Sequence, residues 1–351
     1  MRVVVVGGGS AGHVIPALPV IEQLQQRGHE VSFIGTRSGL EQRLVADAGV
    51  DFYSISAGKL RRYWSWQNFT DLFRILAGVV HALWLIGRIR PAAVFSKGGF
   101  VSFPVALASW MWRVPLVAHE SDLTPGLANR LVLPFAAMLC SSFAQSAAAG
   151  GRARQVHTGT PIRQSMLQGD AQAGRKALGL MSDQPLLIIT GGSLGAQALN
   201  EAVAAALPVL TGRFYVLHVT GEGKAIDVDL PNYDQREYVD EGWGDLLAGA
   251  DVVVSRAGAN ALFELLALGK LNVLVPLDAK ASRGDQLQNA AFAEEHGYSK
   301  VLLEDHLTPD ALVAAIDEVM SRRAQFAEAI AGFQVPDAAR AIADEIERAA
   351  S

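Results

Sequence analysis

Two stretches of this sequence share one grammar, and together they limit the folds open to it. Val3 to Val6 is a run of four valines that ends in Gly7-Gly8-Gly9-Ser10-Ala11-Gly12. Leu186 to Thr190 is a second apolar run, and it ends in Gly191-Gly192-Ser193-Leu194-Gly195. Each turn leads into helical composition, from about Val14 to Gln26 and from about Ala196. A buried strand, a glycine turn and a helix open a doubly wound parallel sheet. The same opening, repeated after about 180 residues, predicts an α/β chain of two Rossmann-like parallel-sheet domains facing across a cleft. A length of 351 residues also favours two cores over one. The boundary is placed within Thr160 to Gln168, giving domains of 1–161 and 162–335, and the amphipathic helix 336–351 is expected to pack back on the first domain.

Composition excludes several function classes. Hydrophobic residues are 50% and charged residues 19%, which suits large buried cores. A formal net charge of -5 argues against a nucleic-acid binder. The one cysteine, Cys140, rules out a disulfide framework and sits in an apolar stretch, so it reads as core in a reducing compartment. The first residues, MRVVVVGGG, are a strand entering a turn and not a secretion signal. Apolar runs of about 18 residues, the length a membrane span needs, are lacking.

Chemistry-bearing residues collect where strands end. The stretch Asp251 to Ala290 reads as strand, small-residue loop, helix closed by Gly269, a second strand Leu271 to Leu277, a polar loop, and a helix from about Gln286. Its two loops carry Arg256, Asn260, Glu264, Asp285, Gln286 and Asn289, a set suited to sugar and nucleotide hydroxyls. Asn260 and Asp285 alternatively cap helices. Strands are also expected at Tyr215 to Thr220 and Arg236 to Val239, and a helix from Pro309 to Met320. In the first half, Gly7, Gly9 and Gly12 match G-x-G-x-x-G, but the second strand, Val31 to Ile34, ends in Gly35-Thr36 instead of an acid, so a dinucleotide site is rejected. His13 follows the glycine turn as a candidate general base. Val94 to Ser102 repeats strand, glycine turn, helix. His119, Glu120 and Asp122 lie at the next strand end, and Thr124-Pro125 reads as the N-cap and first residue of a helix.

The segment Lys59 to Arg90 has a different character. Lys59, Arg61, Arg62, Arg74, Arg88 and Arg90 face a lone acid, Asp71, with Tyr63, Trp64, Trp66, Phe69, Phe73 and Trp84 interleaved. Five of the six tryptophans fall between Trp64 and Trp112. A basic rim around apolar residues too short to span a bilayer predicts docking on an anionic membrane surface.

Several of these motifs occur together in a known family. Gly8-Gly9-Ser10-Ala11-Gly12-His13, Ser96-Lys97-Gly98-Gly99-Phe100, His119-Glu120, Pro125-Gly126-Leu127-Ala128-Asn129, Gly191 to Ala196, Arg256-Ala257-Gly258-Ala259, Glu264, and Gln286 with Asn289-Ala290 make the chain resemble the MurG family over essentially its whole length. These are UDP-N-acetylglucosamine:lipid-linked muramyl-pentapeptide N-acetylglucosaminyltransferases. The resemblance implies the GT-B architecture and an inverting, metal- and cofactor-free transfer of GlcNAc to the C4 hydroxyl of the muramyl unit of lipid I, giving lipid II. It also implies that Glu264 accepts from the ribose, Ser193 and its glycine turn hold the diphosphate with Arg163, backbone near Val239 meets uracil, and Gln286 with Asn260 reads the sugar. Ser10, Ala11 and Gly12 are carried over to the donor as well. Gly98, Gly99, His119, Glu120 and Asn129 are carried over to the acceptor. His13 would be the base, yet Asp122 replaces the usual Asn and supplies a carboxylate that competes for the role. Ser10-Ala11 for Thr-Gly and Asp285 for His or Gln are further departures. The implied place is the cytoplasmic face of the bacterial membrane, bound peripherally, beside proteins of cell-wall synthesis. Rival readings are a glycolipid synthase of the same fold, a UDP-GlcNAc 2-epimerase, and a binding protein without activity.

Overall fold

The computed structural model describes residues 1–36, 40–58, 67–146, 153–180, 184–192, 195–239, 241–279 and 283–351. Two compact units divide them: Met1–Arg163 with Pro336–Ser351, and Gln164–Val335.

Unit 1 is built on strands β1 (Arg2–Gly7), β2 (Glu30–Gly35), β3 (Asp51–Ser54), β4 (Ala93–Gly98), β5 (Leu116–Glu120), β6 (Met138–Ser141) and β7 (Arg154–His157). All pair in parallel, in the order β3-β2-β1-β4-β5-β6-β7. Its helices are α1 (Ala11–Val14), α2 (Leu18–Gln26), α3 (Leu40–Ala46), α4 (Gln67–Ile89), α5 (Ser102–Met111) and α6 (Leu127–Val132). Strand β1 is apolar throughout because both its faces are covered. Val4 and Val6 pack with Leu85, Ile86 and Val105 of α4 and α5. Val3 and Val5 pack with Ile21 and Leu24 of α2 on the opposite face.

Unit 2 holds α7 (Gln164–Leu167), α8 (Ala171–Ala177), β8 (Leu186–Thr190), α9 (Gln197–Leu210), β9 (Tyr215–Val219), β10 (Tyr233–Arg236), α10 (Trp243–Gly249), β11 (Val252–Ser255), α11 (Ala259–Ala267), β12 (Asn272–Leu274), α12 (Asp285–Glu295), β13 (Lys300–Val301), α13 (Pro309–Ser321) and α14 (Arg323–Ala331). Its strands are parallel in the order β10-β9-β8-β11-β12-β13. In both sheets the order reverses beside the first strand, which is the switch point where open α/β sheets bind ligands.

The last helix, α15 (Ala338–Ala350), belongs to unit 1. Ile342, Ala343 and Ile346 join Val3, Val5, Phe95 and Val117 in one buried cluster. Arg27 binds Asp344 at 2.7 Å and Glu347 at 2.9 Å, and His29 Nε2 lies 2.7 Å from Glu347.

Several local expectations are corrected. The helix expected from Val14 to Gln26 is broken into α1, a 3₁₀ turn (Ile15–Ala17) and α2, because Pro16 and Pro19 remove two donors. The strand at Leu271 to Leu277 stops at Leu274. Val275 still donates to Ser255 O at 2.8 Å, but Pro276 has no N–H to continue. The strand near Arg236 to Val239 lies earlier, at β10, a half-exposed polar edge whose residues carry no apolar signal. Thr124 and Pro125 do not start α6; its N-cap is Gly126. Gly258 and Gly284 are the N-caps of α11 and α12, so neither Asn260 nor Asp285 caps a helix. Among the described residues, no helix is long and apolar enough to cross a membrane.

Candidate functional site

At the switch point of unit 1, two glycine turns interlock. A Cβ on Gly99 would stand 2.1 Å from the Gly8 carbonyl oxygen, and Gly99 has φ +88, so only glycine fits. A Cβ on Gly98 would stand 3.3 Å from His13 Nδ1 and 3.6 Å from Asn129 Oδ1. The imidazole and the amide oxygen therefore close on the turn, leaving no room for a larger residue. His13 is half-buried at the end of α1, and its N–H donates to Ser10 O at 3.1 Å. Ser10 and Gly12 are exposed, and Ala11 is buried.

Beneath the first turn lies a group that the sequence reading missed. Glu41 of α3 is fully buried, and its Oε1 accepts from Gly9 N–H at 2.8 Å and Thr36 Oγ at 2.7 Å. The glycine turn is thus closed over a carboxylate of its own chain. The signal was weak: Glu41 is one acid on a polar helix face, 32 residues from its partner.

A second carboxylate shapes the loop after β5. Glu120 Oε1 accepts from Asp122 N–H at 3.1 Å. Its Oε2 accepts from Gly126 N–H at 2.9 Å and from Asn129 Nδ2 at 2.8 Å. These bonds hold residues 122–126 out of helical geometry, which is why α6 begins after Thr124-Pro125. Asn129 Nδ2 also donates to His119 O at 3.0 Å, so its amide is fixed with Oδ1 buried and without a partner. His119 is fully buried and its Nε2–H donates to Gly159 O at 2.9 Å, leaving Nδ1 unpartnered. Burial, and then the charge of Lys97, hold its pKa well below the usual histidine range, so the ring is neutral. Lys97 was quoted in a motif but assigned no role; it is buried within the same cluster.

Unit 2 presents two neighbouring loops. After β11, Arg256 is buried, with NH1 donating to Val275 O at 3.1 Å and paired with Glu304, so it braces the loop from behind. Asn289 Nδ2 donates to Ala257 O at 3.1 Å, tying α12 to that loop. Asn260 and Glu264, one turn apart on α11, are both half-buried. Gln286 Oε1 accepts from Leu277 N–H at 3.0 Å, which orients its amide. Asp285 pairs with Arg283 at 3.5 Å. After β8, Gly192 N–H donates to Thr190 Oγ1 at 3.2 Å, and Lys224 Nζ donates to Gly195 O at 3.4 Å. Ser193 lies outside the described residues. Val239 is half-buried beyond β10, and Arg163 closes the first segment of unit 1.

An apolar surface flanks the unit 1 turns. Phe73, Leu76, Val80 and Trp84 make one stripe along α4, each more than half exposed. Arg88 stacks over the Trp84 ring at 5.3 Å. Trp112 Nε1 donates to Leu83 O at 3.0 Å, which joins exposed Trp110, Met111 and Trp112 to the stripe. Between the stripe and the second glycine turn is an apolar pocket lined by Ile75, Gly99, Phe100, Phe103, Leu127 and Leu131. Lys59, Arg61, Arg62, Tyr63, Trp64 and Trp66 lie outside the described residues, as do the side chains of Phe69 and Asp71.

Comparison with known proteins bears on this geometry. Residues 3–140 match the glycosyltransferase family 28 N-terminal domain, and residues 186–342 match the glycosyltransferase family 28 C-terminal domain. A UDP-N-acetylglucosamine–N-acetylmuramyl-(pentapeptide) pyrophosphoryl-undecaprenol N-acetylglucosamine transferase of Clostridium perfringens is 42% identical over 352 residues, covering 99% of this chain and 98% of its own. The protein of the same name from Lachnospira eligens is 45% identical over 327 residues, covering 93% and 92%. The crystal structure of Acinetobacter baumannii MurG superposes with a TM-score of 0.76 at 27% identity, covering 99% of each chain.

Proposed function

Since the chain belongs to glycosyltransferase family 28 and, within it, to the UDP-N-acetylglucosamine–N-acetylmuramyl-(pentapeptide) pyrophosphoryl-undecaprenol N-acetylglucosamine transferases, we propose how its residues divide that reaction between the two units. The fold is GT-B, and the enzyme is a hexosyltransferase that moves GlcNAc from UDP-GlcNAc to lipid I, yielding lipid II for peptidoglycan. In our reading unit 2 holds the donor. Glu264 accepts from the ribose, Asn260 and Gln286 read the sugar, and the turn after β8 holds the diphosphate, with Val239 near the base. Arg163 and the Ser10–Gly12 turn complete the donor contacts. Negative charge grows on the leaving diphosphate during transfer, and oriented N–H groups with a cation stabilise it without a metal.

Unit 1 takes the acceptor. The gathering of His13 and Asn129 against the Gly98 turn is the observation that carries this assignment. In this reading the C4 hydroxyl of the muramyl unit approaches the half-buried His13 at the mouth of the turn and gives its one proton to a single acceptor. Its attack on the anomeric carbon, with UDP leaving from the opposite face, inverts that carbon. His13 and Asp122 are the candidate bases. Glu120, His119 and Asn129 hold the loop in place, and the pocket at Phe100 and Phe103 continues from the turn toward the α4 stripe. That stripe, with its arginine, docks the protein peripherally on anionic lipid at the cytoplasmic face, where a polyprenyl-linked substrate stays embedded.

The test is UDP release from UDP-GlcNAc with and without a lipid I analogue. Release should depend on the analogue. Equal release in its absence would sink the acceptor assignment.

A further inference from the structure

Lys97 is a buried cation for which neither the donor nor the acceptor needs a direct contact. Strand β4 carries one residue more than its partner: Val6 pairs with Ser96 and Gly7 with Gly98. Lys97 is that extra residue, and a bulge re-aims the side chain it carries. Here the side chain runs beneath the end of β5, where Nζ donates to Ser121 Oγ at 2.5 Å. The residue is 2% exposed. Burying an ammonium is costly unless other charges compensate it. The compensating groups are Glu120 on β5 and Asp122 on the turn that follows. His119, also on β5, is neutral and feels the same ammonium. His13 of α1 stands against the adjacent Gly98.

Resting on the reading of unit 1 as the acceptor side, we propose that Lys97 is a positioning residue: its ammonium locks the Ser121–Asp122 corner next to the Gly98 turn and is the counter-charge to Asp122 there. Burial brings the Lys97 pKa down to about 8. Above that pH the ammonium is lost, the two carboxylates lose their counter-charge, and the corner loosens. The arrangement thus places an alkaline limit on turnover that is set by a residue never touching substrate.

Two measurements on Lys97→Met, close in length but uncharged, test this. In ligand-free protein, carbon-13 carboxyl titration should show the Asp122 midpoint moving upward relative to the parent. In steady-state assays with a lipid I analogue, kcat of the parent should fall above about pH 8. The variant should lose about tenfold or more in kcat at neutral pH, show no such fall, and keep its KM for UDP-GlcNAc within about twofold. An unmoved Asp122 midpoint overturns the proposal whatever the activity. An unchanged alkaline limb overturns it too. Should the parent show no acceptor-dependent release, the acceptor reading has failed, while the titration still decides the role of Lys97. Lys97→Gln, which keeps a donor for Ser121, must show the same upward movement if the Met variant does not fold.

Discussion

The switch points of the two units are furnished differently. In unit 1 the turns rest on buried charge: Glu41 under Gly9, Glu120 under the loop after β5, and Lys97 against Ser121. In unit 2 neutral amides on backbone, Gln286 on Leu277 and Asn289 on Ala257, hold the loops, and the buried charge of Arg256 is paired with Glu304 behind them. Fixed charge suits a place where a proton must move, since its field is set before reaction. Neutral hydrogen-bonding groups suit the recognition of hydroxyls. The difference teaches that the shared strand order sets where the candidate sites lie and leaves their furnishing to a few long-range contacts.

The largest effect that can break this comparison is steric. Gly99→Ala forces a Cβ onto the Gly8 carbonyl and a side chain into positive φ, a cost of about 4 kcal/mol or more. A thermal melt should lose the unit 1 transition, while UDP still protects unit 2. A melt like the parent's would mean that the turns do not interlock.

A smaller effect comes from acid. His218 on β9 is buried between Asn200 Oδ1 and Tyr233 OH, and desolvation lowers its pKa to about 4. Below pH 6.5 the unfolded chain binds a proton that the folded state refuses, so stability is full above 6.5 and declines as pH falls toward 4. The loss is on the order of 3 kcal/mol across that window. His119 acts in the same direction in unit 1. Urea midpoints at pH 7 and pH 5 should therefore differ in both units, and His218→Gln should flatten the decline in unit 2 alone.

The smallest concerns ligand affinity. Glu264→Ala should weaken UDP-GlcNAc by about tenfold, near 1.4 kcal/mol, measured by calorimetry. Unchanged affinity would move the nucleotide away from α11.

Both sheets were legible because their strands are buried on two faces and so appear as unbroken apolar runs, such as Val3–Val6 and Leu186–Ile189. His13 and Glu120 were legible as site candidates because they follow a glycine turn and end a strand, Gly98 and Asn129 only through the family resemblance, and in the structure the four lie together. Less visible was what holds them. Glu41 supports Gly9 from another helix, and the bulge at Lys97 depends on pairing with β1, which no local pattern encodes. The polar edge strand β10 and the stop at Pro276 escaped for the opposite reason: a half-exposed edge needs few apolar residues, and a proline inside an apolar run reads as continuation until the ladder is counted. Asn260 and Asp285 suggested caps by residue type alone, whereas glycines occupy both positions.

The return of α15 to unit 1 also has a consequence for biosynthesis. Residues 338–350 leave the ribosome only after every residue of unit 2. Until then one face of the first sheet, around Val3, Val5, Phe95 and Val117, is missing part of its cover. The nascent chain must keep that surface from aggregating while a whole second unit is made, so a premature stop a dozen residues early would harm the half of the molecule that was translated first.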